Sequence, residues 1–204
     1  MSELHRALGD ISSIRRQVAG STQFRGYGPA TLAATGLFAL AAAGAQAVWL
    51  PDPAEHVLAY LRIWGSVAVL SLGLTGVQMY RRSRRMHSGL SDEMIRMAVE
   101  QFVPAIGAGL LVTAVVARYA AGESWMIPGL LQVIFGLGIF SSCRFLPRPM
   151  MAAGAWYLLT GLVCLSLHGS RALAPWTMGL AFGAGQMLVA CVLLVATPEA
   201  ADEE

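Results

Sequence analysis

The chain has 204 residues, of which 56% are hydrophobic and 13% are charged, and its mean hydropathy is +0.59. Soluble domains are usually about 25% charged, so this composition excludes an ordinary soluble globular domain. The net charge of +2 says little as a total, but every one of the 14 basic residues is Arg, and these residues are unevenly distributed.

The chain begins with a polar segment over residues 1–28, which we predict to be a cytoplasmic amphipathic segment. Within 3–18, apolar residues recur at helical spacing among polar and Arg neighbours: Leu4, Leu8, Ile11, Ile14 and Val18. A helix of this kind can lie on an anionic membrane leaflet. Packing against the membrane helices or against a protein partner is the alternative.

Six apolar stretches follow, and each is long enough to cross a bilayer. The hydrocarbon core is about 30 Å thick, and a helix rises about 1.5 Å per residue. The stretches cover about residues 29–50, 57–80, 102–121, 125–143, 149–168 and 173–196. They lack the apolar/polar alternation of membrane strands. The sequence therefore predicts an all-α fold, an integral membrane bundle of six transmembrane helices over 29–196.

The Arg residues fall mainly on one side of these helices. Four precede the first helix, five lie between the second and third, and two lie between the fourth and fifth, which leaves Arg62, Arg118 and Arg171 on the other side. Cationic loops resist translocation, so the Arg-rich side is predicted to be cytoplasmic. Both termini are then cytoplasmic, 197–204 forms an acidic cytoplasmic tail, and the predicted location is a bacterial inner membrane.

The longest connection is the Arg-rich loop at 81–101. Its Arg-Arg-Ser-Arg-Arg cluster is typical of a membrane anchor, and no folded domain surrounds it that could read nucleic acid directly. Ser91 with Asp92 and Glu93 predicts a helix start. Pro104 lacks an N–H and clashes with the preceding turn, so we expect a kink or break near 100–104.

Glycine and proline suggest a repeat of three helical hairpins. Helices three and five open with related Pro–Ala–Gly patterns, and the even helices each carry glycines near both the outer end and the middle. These glycines are Gly65 and Gly73, Gly129 and Gly136, and Gly179 and Gly185. Chance similarity is the alternative. The Gly179–Gly183 motif permits close approach within the bundle or between subunits, so a homo-oligomer is compatible with the sequence.

The membrane stretches are almost free of ionisable groups. They contain no Asp or Glu, and the four His lie in loops or at helix ends. This pattern disfavours a haem held by two His and ion coupling through a carboxylate. The three Cys are scattered, and the sequence shows no catalytic or phosphate-binding motif. We therefore predict no enzyme activity, no catalytic residue, no cofactor and no metal site.

Two glutamines and two arginines remain as candidate binding residues. Gln132 and Gln186 are the deepest polar side chains, and an amide in lipid needs a partner. They are expected either to bond between helices or to line a polar cavity. Arg62 and Arg118 lie near the outer surface, where long side chains reach the headgroups.

The sequence offers each of these arginines a local acidic partner. Glu55 is the expected partner of Arg62, and Glu123 is that of Arg118. The alternative is an anion-attracting vestibule on the outer face. Aromatic residues near the predicted outer ends, Tyr60 and Trp64 among them, are expected at the headgroup level.

Short motifs support the topology. They are Ile11-Ser-Ser-Ile-Arg-Arg, Ser21-Thr22-x-Phe24, Arg81-Arg82, Pro128-Gly129 and Gly183-Ala-Gly-Gln186. On these motifs the chain resembles a family of small six-helix bacterial integral membrane proteins of unknown function. Genes of that family are often found beside one for a winged-helix regulator. The resemblance implies the topology over about 10–196 and implies no activity.

The leading hypothesis is a non-enzymatic inner-membrane protein that senses the membrane or serves as a scaffold. Its partners would be the lipid bilayer and a cytoplasmic protein held through 1–25 and 81–101. The alternative is a small transporter or channel for a neutral or apolar solute, with Gln132 and Gln186 lining the path.

Overall fold

A computed structural model describes residues 28–85, 89–143 and 149–196. Within these ranges the protein is entirely helical, as predicted, with six α-helices and no strand. The helices are α1 Pro29–Trp49, α2 Val57–Arg85, α3 Gly89–Tyr119, α4 Ile127–Ser142, α5 Met150–Ser166 and α6 Pro175–Ala196. Short 3-10 helices over Ala121–Met126 and Gly169–Leu173 precede α4 and α6. The predicted amphipathic helix and acidic tail lie outside the described residues.

Five helical segments are long and apolar enough to cross a membrane, which agrees with the composition. They are Pro29–Trp49, Val57–Arg81, Val99–Tyr119, Ala121–Ser142 and Pro175–Leu194. The remaining helix, α5, is also apolar but has 17 residues, the short end of the range for spanning helices. The helices therefore fit a membrane-spanning protein.

The helices divide into two groups by how much of their surface the protein covers. Packing is most extensive between α1 and α6 and between α4 and α5, whereas α2 and α3 touch each other in only a few places. Half of the most apolar stretch of α6 is buried, against 11% for α2 and 6% for α3. We call α1, α4, α5 and α6 the core helices, and α2 and α3 the arm helices.

Paired glycines bring the backbones of α4 and α5 into direct contact. A Cβ on Gly129 would lie 2.9 Å from the carbonyl oxygen of Gly161, and one on Gly161 would lie 2.8 Å from that of Gly129. Seven residues away on both helices, a Cβ on Gly136 would lie 3.0 Å from the Gly154 oxygen. This antiparallel register leaves no room for side chains, so van der Waals contact between backbones holds the pair.

Aromatic rings fill the centre of the core. The Phe135 ring on α4 lies 4.7 Å from Tyr157 on α5, 5.4 Å from Phe182 on α6 and 5.1 Å from Phe102 on α3, measured between centroids. All three contacts are edge-to-face, the favourable arrangement for ring pairs. The rings pack on one another, and they join one arm helix to three core helices.

The sequence predicts a kink or break near Pro104, and the break does not occur. Helix α3 runs without interruption from Gly89 to Tyr119 with Pro104 inside it. Membrane helices tolerate proline when side chains and small backbone adjustments satisfy the freed carbonyl group. The helix start predicted near Ser91 lies two residues beyond the observed first residue.

The glycines that suggest three hairpins have different surroundings in different helices. Gly129 and Gly136 on α4 meet a neighbouring backbone. A Cβ added to Gly65 or Gly73 on α2, in contrast, would meet no atom of the described residues within 4 Å. The repeat therefore stays a prediction from sequence, because packing does not treat these positions alike.

Candidate functional site

A buried amide ties α1 to α2 and to the 3-10 helix before α6. The Gln46 side chain is fully buried, its Nε2 donates to the Leu173 carbonyl at 2.7 Å, and its Oε1 accepts from Trp64 Nε1 at 2.8 Å. Both ends of the amide are thus engaged, as an amide in an apolar interior requires. Gln46 therefore anchors an arm helix to the core.

A second fully buried amide, Gln132, links α4 to the start of α6. Its Nε2 donates to the Thr177 carbonyl at 3.1 Å, and Met178 Sδ lies 3.7 Å away. The Thr177 hydroxyl lies within hydrogen-bond distance of two carbonyl oxygens, 2.9 Å from that of Ala172 and 2.7 Å from that of Ala174, which share its one proton. The Gln132 Oε1 atom, in contrast, has no hydrogen-bond partner among the described residues.

A tyrosine and a cysteine complete this region. The Cys164 Sγ atom lies 3.5 Å from the Ala172 carbonyl oxygen, and the Tyr60 ring lies beside Trp64, with 6.4 Å between ring centroids. Tyr60 is 1% exposed, and its hydroxyl has no hydrogen-bond partner within the described ranges. We call Gln46, Tyr60, Trp64, Gln132, Cys164 and Thr177 the buried polar layer.

The buried polar layer holds no carboxylate, guanidinium or imidazole. Its amides, hydroxyls, indole and thiol can hydrogen-bond helices together or bind a small neutral molecule. An unpaired buried group such as the Tyr60 hydroxyl or the Gln132 Oε1 lowers stability, because it loses its hydration without gaining a hydrogen bond. A bound molecule that hydrogen-bonds to such a group would therefore gain the most binding free energy.

The other candidate amide, Gln186, lies elsewhere. It is partly buried on α6, and its Cβ lies 3.1 Å from where a Cβ on Gly36 of α1 would be. It follows Thr177, the partner of Gln132, by nine residues, which is about 13 Å along the helix. The structure therefore does not bring the two glutamines together.

Arg62 lines an open groove at the junction of the arm helices. The groove has a volume of about 600 Å³, and it lies between the start of α2 and the end of α3. Its charged and titratable lining residues are Glu55, His56 and Arg62, all of them at least partly accessible to solvent. Ala117 of α3 lies on the opposite wall, whereas Arg118 does not line the groove.

The predicted ion pairs are not formed. Among the described residues, neither Glu55 with Arg62 nor Glu123 with Arg118 makes an ion pair. The Glu123 carboxylate instead accepts a hydrogen bond from Trp125 Nε1 at 2.8 Å. Because the two residues share the short 3-10 helix, the indole reaches the carboxylate without the entropy cost of fixing a long Arg side chain.

Sequence reasoning missed Gln46 and did not anticipate that two aromatic residues belong to the buried polar layer. The sequence predicts Tyr60 and Trp64 at the headgroup level; that depth stays a prediction, while the structure shows their side chains to be 1% and 7% exposed. They lie on the face of α2 that packs on α1, where Gln46 supplies the indole with an acceptor. The available signal was an amide in the otherwise apolar α1. Trp49 and Tyr119, by contrast, are exposed.

No metal-binding cluster of three or more His, Cys, Asp or Glu occurs in the described part of the chain. Comparisons with known proteins give no relative: no protein-family model, curated protein or solved structure matches the chain.

Proposed function

We propose that the protein is a non-enzymatic multi-pass protein of a bacterial inner membrane that reports the state of the bilayer to a cytoplasmic partner. In this proposal both termini are cytoplasmic, and 1–25 and 81–101 hold the partner. The observation that carries the proposal is that the two arm helices are both the longest described helices and the least buried, at 29 and 31 residues.

The arm helices continue beyond their apolar stretches at the end predicted to be cytoplasmic. The apolar stretches of the sequence are 57–80 and 102–121, while α2 ends at Arg85 and α3 begins at Gly89, so both helices continue into charged sequence. At about 1.5 Å per residue, α2 extends about 8 Å and α3 about 20 Å past those stretches. These charged helix ends support a role for 81–101 as a surface for a protein partner.

The large uncovered surface of the arm helices supports a sensing role. Helix α2 packs on α1 and α3 packs on α4, while most of the remaining surface of both is free to meet lipid. A change in bilayer thickness or composition would act differently on the arm and core helices, and only such differential interaction can shift a conformational equilibrium. The charged ends of the arm helices would carry that shift to the partner.

The transporter alternative has less support from the geometry. A path lined by both Gln132 and Gln186 would need their side chains to face the same space. Gln132 instead contacts α6 at Thr177, and Gln186 lies against α1, about 13 Å further along α6. Aromatic rings from four helices pack together in the core. Solute flux into liposomes is measured for the parent protein and for the double variant Gln132→Leu/Gln186→Leu. We expect no flux in the parent that the double variant lacks.

The proposal is tested by partner capture in intact cells. Photo-crosslinking residues placed in 86–98 of the parent identify the proteins that contact this segment, and mass spectrometry quantifies them. The parent is then compared with a variant whose residues 86–98 are replaced by a Gly/Ser linker of equal length. Arg81–Arg85 stay in place because they set the orientation. The matched control replaces 197–204 in the same way.

For the comparison, the crosslinking residue is placed within 1–25, because this segment is unchanged in the parent, the 86–98 variant and the tail control. The expected result is loss of one specific partner from the 86–98 variant and its retention in the tail control. Equal recovery from all three proteins would overturn the proposal.

A further inference from the structure

We propose that the space between the arm helices is a binding site for one phospholipid whose headgroup carries both a phosphate and an ammonium. The headgroup would occupy the groove beside Arg62, and the acyl chains would run between α2 and α3. This site deepens the proposed function, since it names what the arm helices sense. Lipid binding is measured without the protein partner, so each proposal can fail alone.

The groove offers complementary charges for such a headgroup. The Arg62 guanidinium can donate two parallel hydrogen bonds to a phosphate, and the Glu55 carboxylate can pair with an ammonium. His56 follows Glu55 directly in the sequence and also lines the groove. No ion pair among the described residues engages Arg62 or Glu55, so both charges are available. Of the first-turn N–H groups of α2, those of Ala59 and Tyr60 donate to the His56 carbonyl, which leaves those of Val57 and Leu58 as further donors on the same side.

One face of α2 continues from the groove into the membrane. Arg62, Gly65, Val69, Gly73 and Gly76 follow one another at intervals of three or four residues and therefore share a face. The three glycines have nothing within 4 Å of a Cβ position, and Val69 is 70% exposed. This face forms a shallow channel that no part of the described protein fills.

A similar open face on α3 also starts at the groove. Starting from the groove residue Ala117, positions Ala114, Leu110, Gly107 and Val103 again follow at intervals of three or four. Leu110 is 68% exposed, Val103 is 54% exposed, and Gly107 has open space at its Cβ position. Two apolar faces thus lead away from the same charged groove.

The charges at the groove favour a phospholipid over a second copy of the chain. Glycines alone would suit a packed helix equally well. A helix inserted from another copy would leave Arg62 and Glu55 without partners at its end, whereas a zwitterionic phospholipid matches charges at the groove and apolar walls below it. Acyl chains also adapt to two helices that touch in only a few places.

The binding experiment uses two matched pairs of variants. Detergent-purified, delipidated protein is titrated with phosphatidylethanolamine, and the one-lipid complex is quantified by native mass spectrometry. We expect Arg62→Gln to weaken binding about tenfold, the effect of losing one charge-assisted contact, and Arg118→Gln to leave it unchanged. Gly73→Leu, which fills the channel, should weaken binding, and Gly44→Leu, at an equally open glycine on α1, should not.

Three further measurements identify what is bound. Soluble glycerophosphoethanolamine should fail to displace the lipid, because the acyl chains contribute most of the buried area. Glu55→Gln should weaken phosphatidylethanolamine binding and spare phosphatidylglycerol, which has no ammonium. Arg62→Lys keeps the charge without the two-pronged contact and should fall between parent and Arg62→Gln; it also serves if Arg62→Gln fails to fold.

Three other results would contradict the lipid site. Equal lipid binding by Arg62→Gln and Arg118→Gln would mean non-specific annular lipid. Displacement by the soluble headgroup alone would mean an anion site without the channel. A dimer that Gly73→Leu abolishes, with lipid binding unchanged, would mean that a second copy covers the face.

Discussion

The α4–α5 pair and the α2–α3 pair are both neighbours in the chain, and both carry glycines along one face, yet they pack in opposite ways. Between α4 and α5 the glycines bring the backbones together, whereas the glycines of α2 face open space. A glycine-lined face therefore permits close approach without specifying the partner. In the core that partner is another helix of the chain. In the arm helices no described residue contacts the glycine-lined face of α2, so its partner must come from outside the described protein.

Different interactions hold the two regions. The core helices rely on backbone contact and on aromatic rings packed edge to face. Helix α2 is attached through a buried hydrogen-bonded amide, which links Gln46 to Trp64. The comparison predicts that overpacking is severe in the core and mild in the arms, while loss of the amide specifically loosens the arm.

The largest effect is expected from Gly161→Val in the core. Its Cβ would lie 2.8 Å from the Gly129 carbonyl oxygen and 2.9 Å from the Val133 backbone nitrogen, neither of which can move without shifting α4. We expect the free energy of unfolding to fall by about 3 kcal/mol. Reversible unfolding in mixed SDS micelles measures it.

Gly73→Val on α2 is the matched control, because it makes the same chemical change at a position with open space. Its free energy of unfolding should stay within about 0.5 kcal/mol of the parent, as for a surface substitution. Equal losses in the two variants would erase the distinction between core and arm.

A smaller loss is expected from Gln46→Leu. The substitution leaves the Trp64 N–H and the Leu173 carbonyl without partners in a buried site. Hydrogen bonds between membrane helices contribute modestly, so the expected loss is about 1–2 kcal/mol in the same unfolding experiment. The Trp64 fluorescence should also shift to longer wavelength as α2 separates from α1.

Gln186→Leu provides the comparison for this amide. Gln186 is only partly buried, so leucine there should change the unfolding free energy by less than about 0.5 kcal/mol. If Gln46→Leu were as mild as Gln186→Leu, the amide would not be what attaches α2.

The smallest effect concerns the buried tyrosines, one on an arm helix and one on a core helix. The hydroxyls of Tyr60 and Tyr157 are both buried without a hydrogen-bond partner in the part of the chain that the structure describes. Replacing either with Phe should raise the unfolding free energy by up to about 1 kcal/mol, because an unpaired polar group no longer loses its hydration. A destabilised Tyr60→Phe would instead show that its hydroxyl is paired in the membrane.

The helices could be predicted from the sequence because a long apolar run in a chain of this composition has few alternatives. Gln132 could be identified for the same reason, since an amide within such a run must find a partner. The packing order could not be predicted: the glycines of α2 and α4 look alike in sequence, and only three-dimensional contact distinguishes them. The burial of Trp64 against α1 could not be predicted either, because nearness to a helix end does not reveal which face is buried.

Distances between spin labels in nanodiscs of two thicknesses decide whether the arm helices respond to the bilayer while the core does not. One pair joins the arms at Val69 and Leu110, and the other joins α4 to α5 at Leu137 and Leu159; all four side chains are exposed. We predict that the arm distance changes by a few ångströms between thin and thick bilayers while the core distance stays constant. Equal changes in both pairs, or no change in either, would contradict a sensing role for the arms.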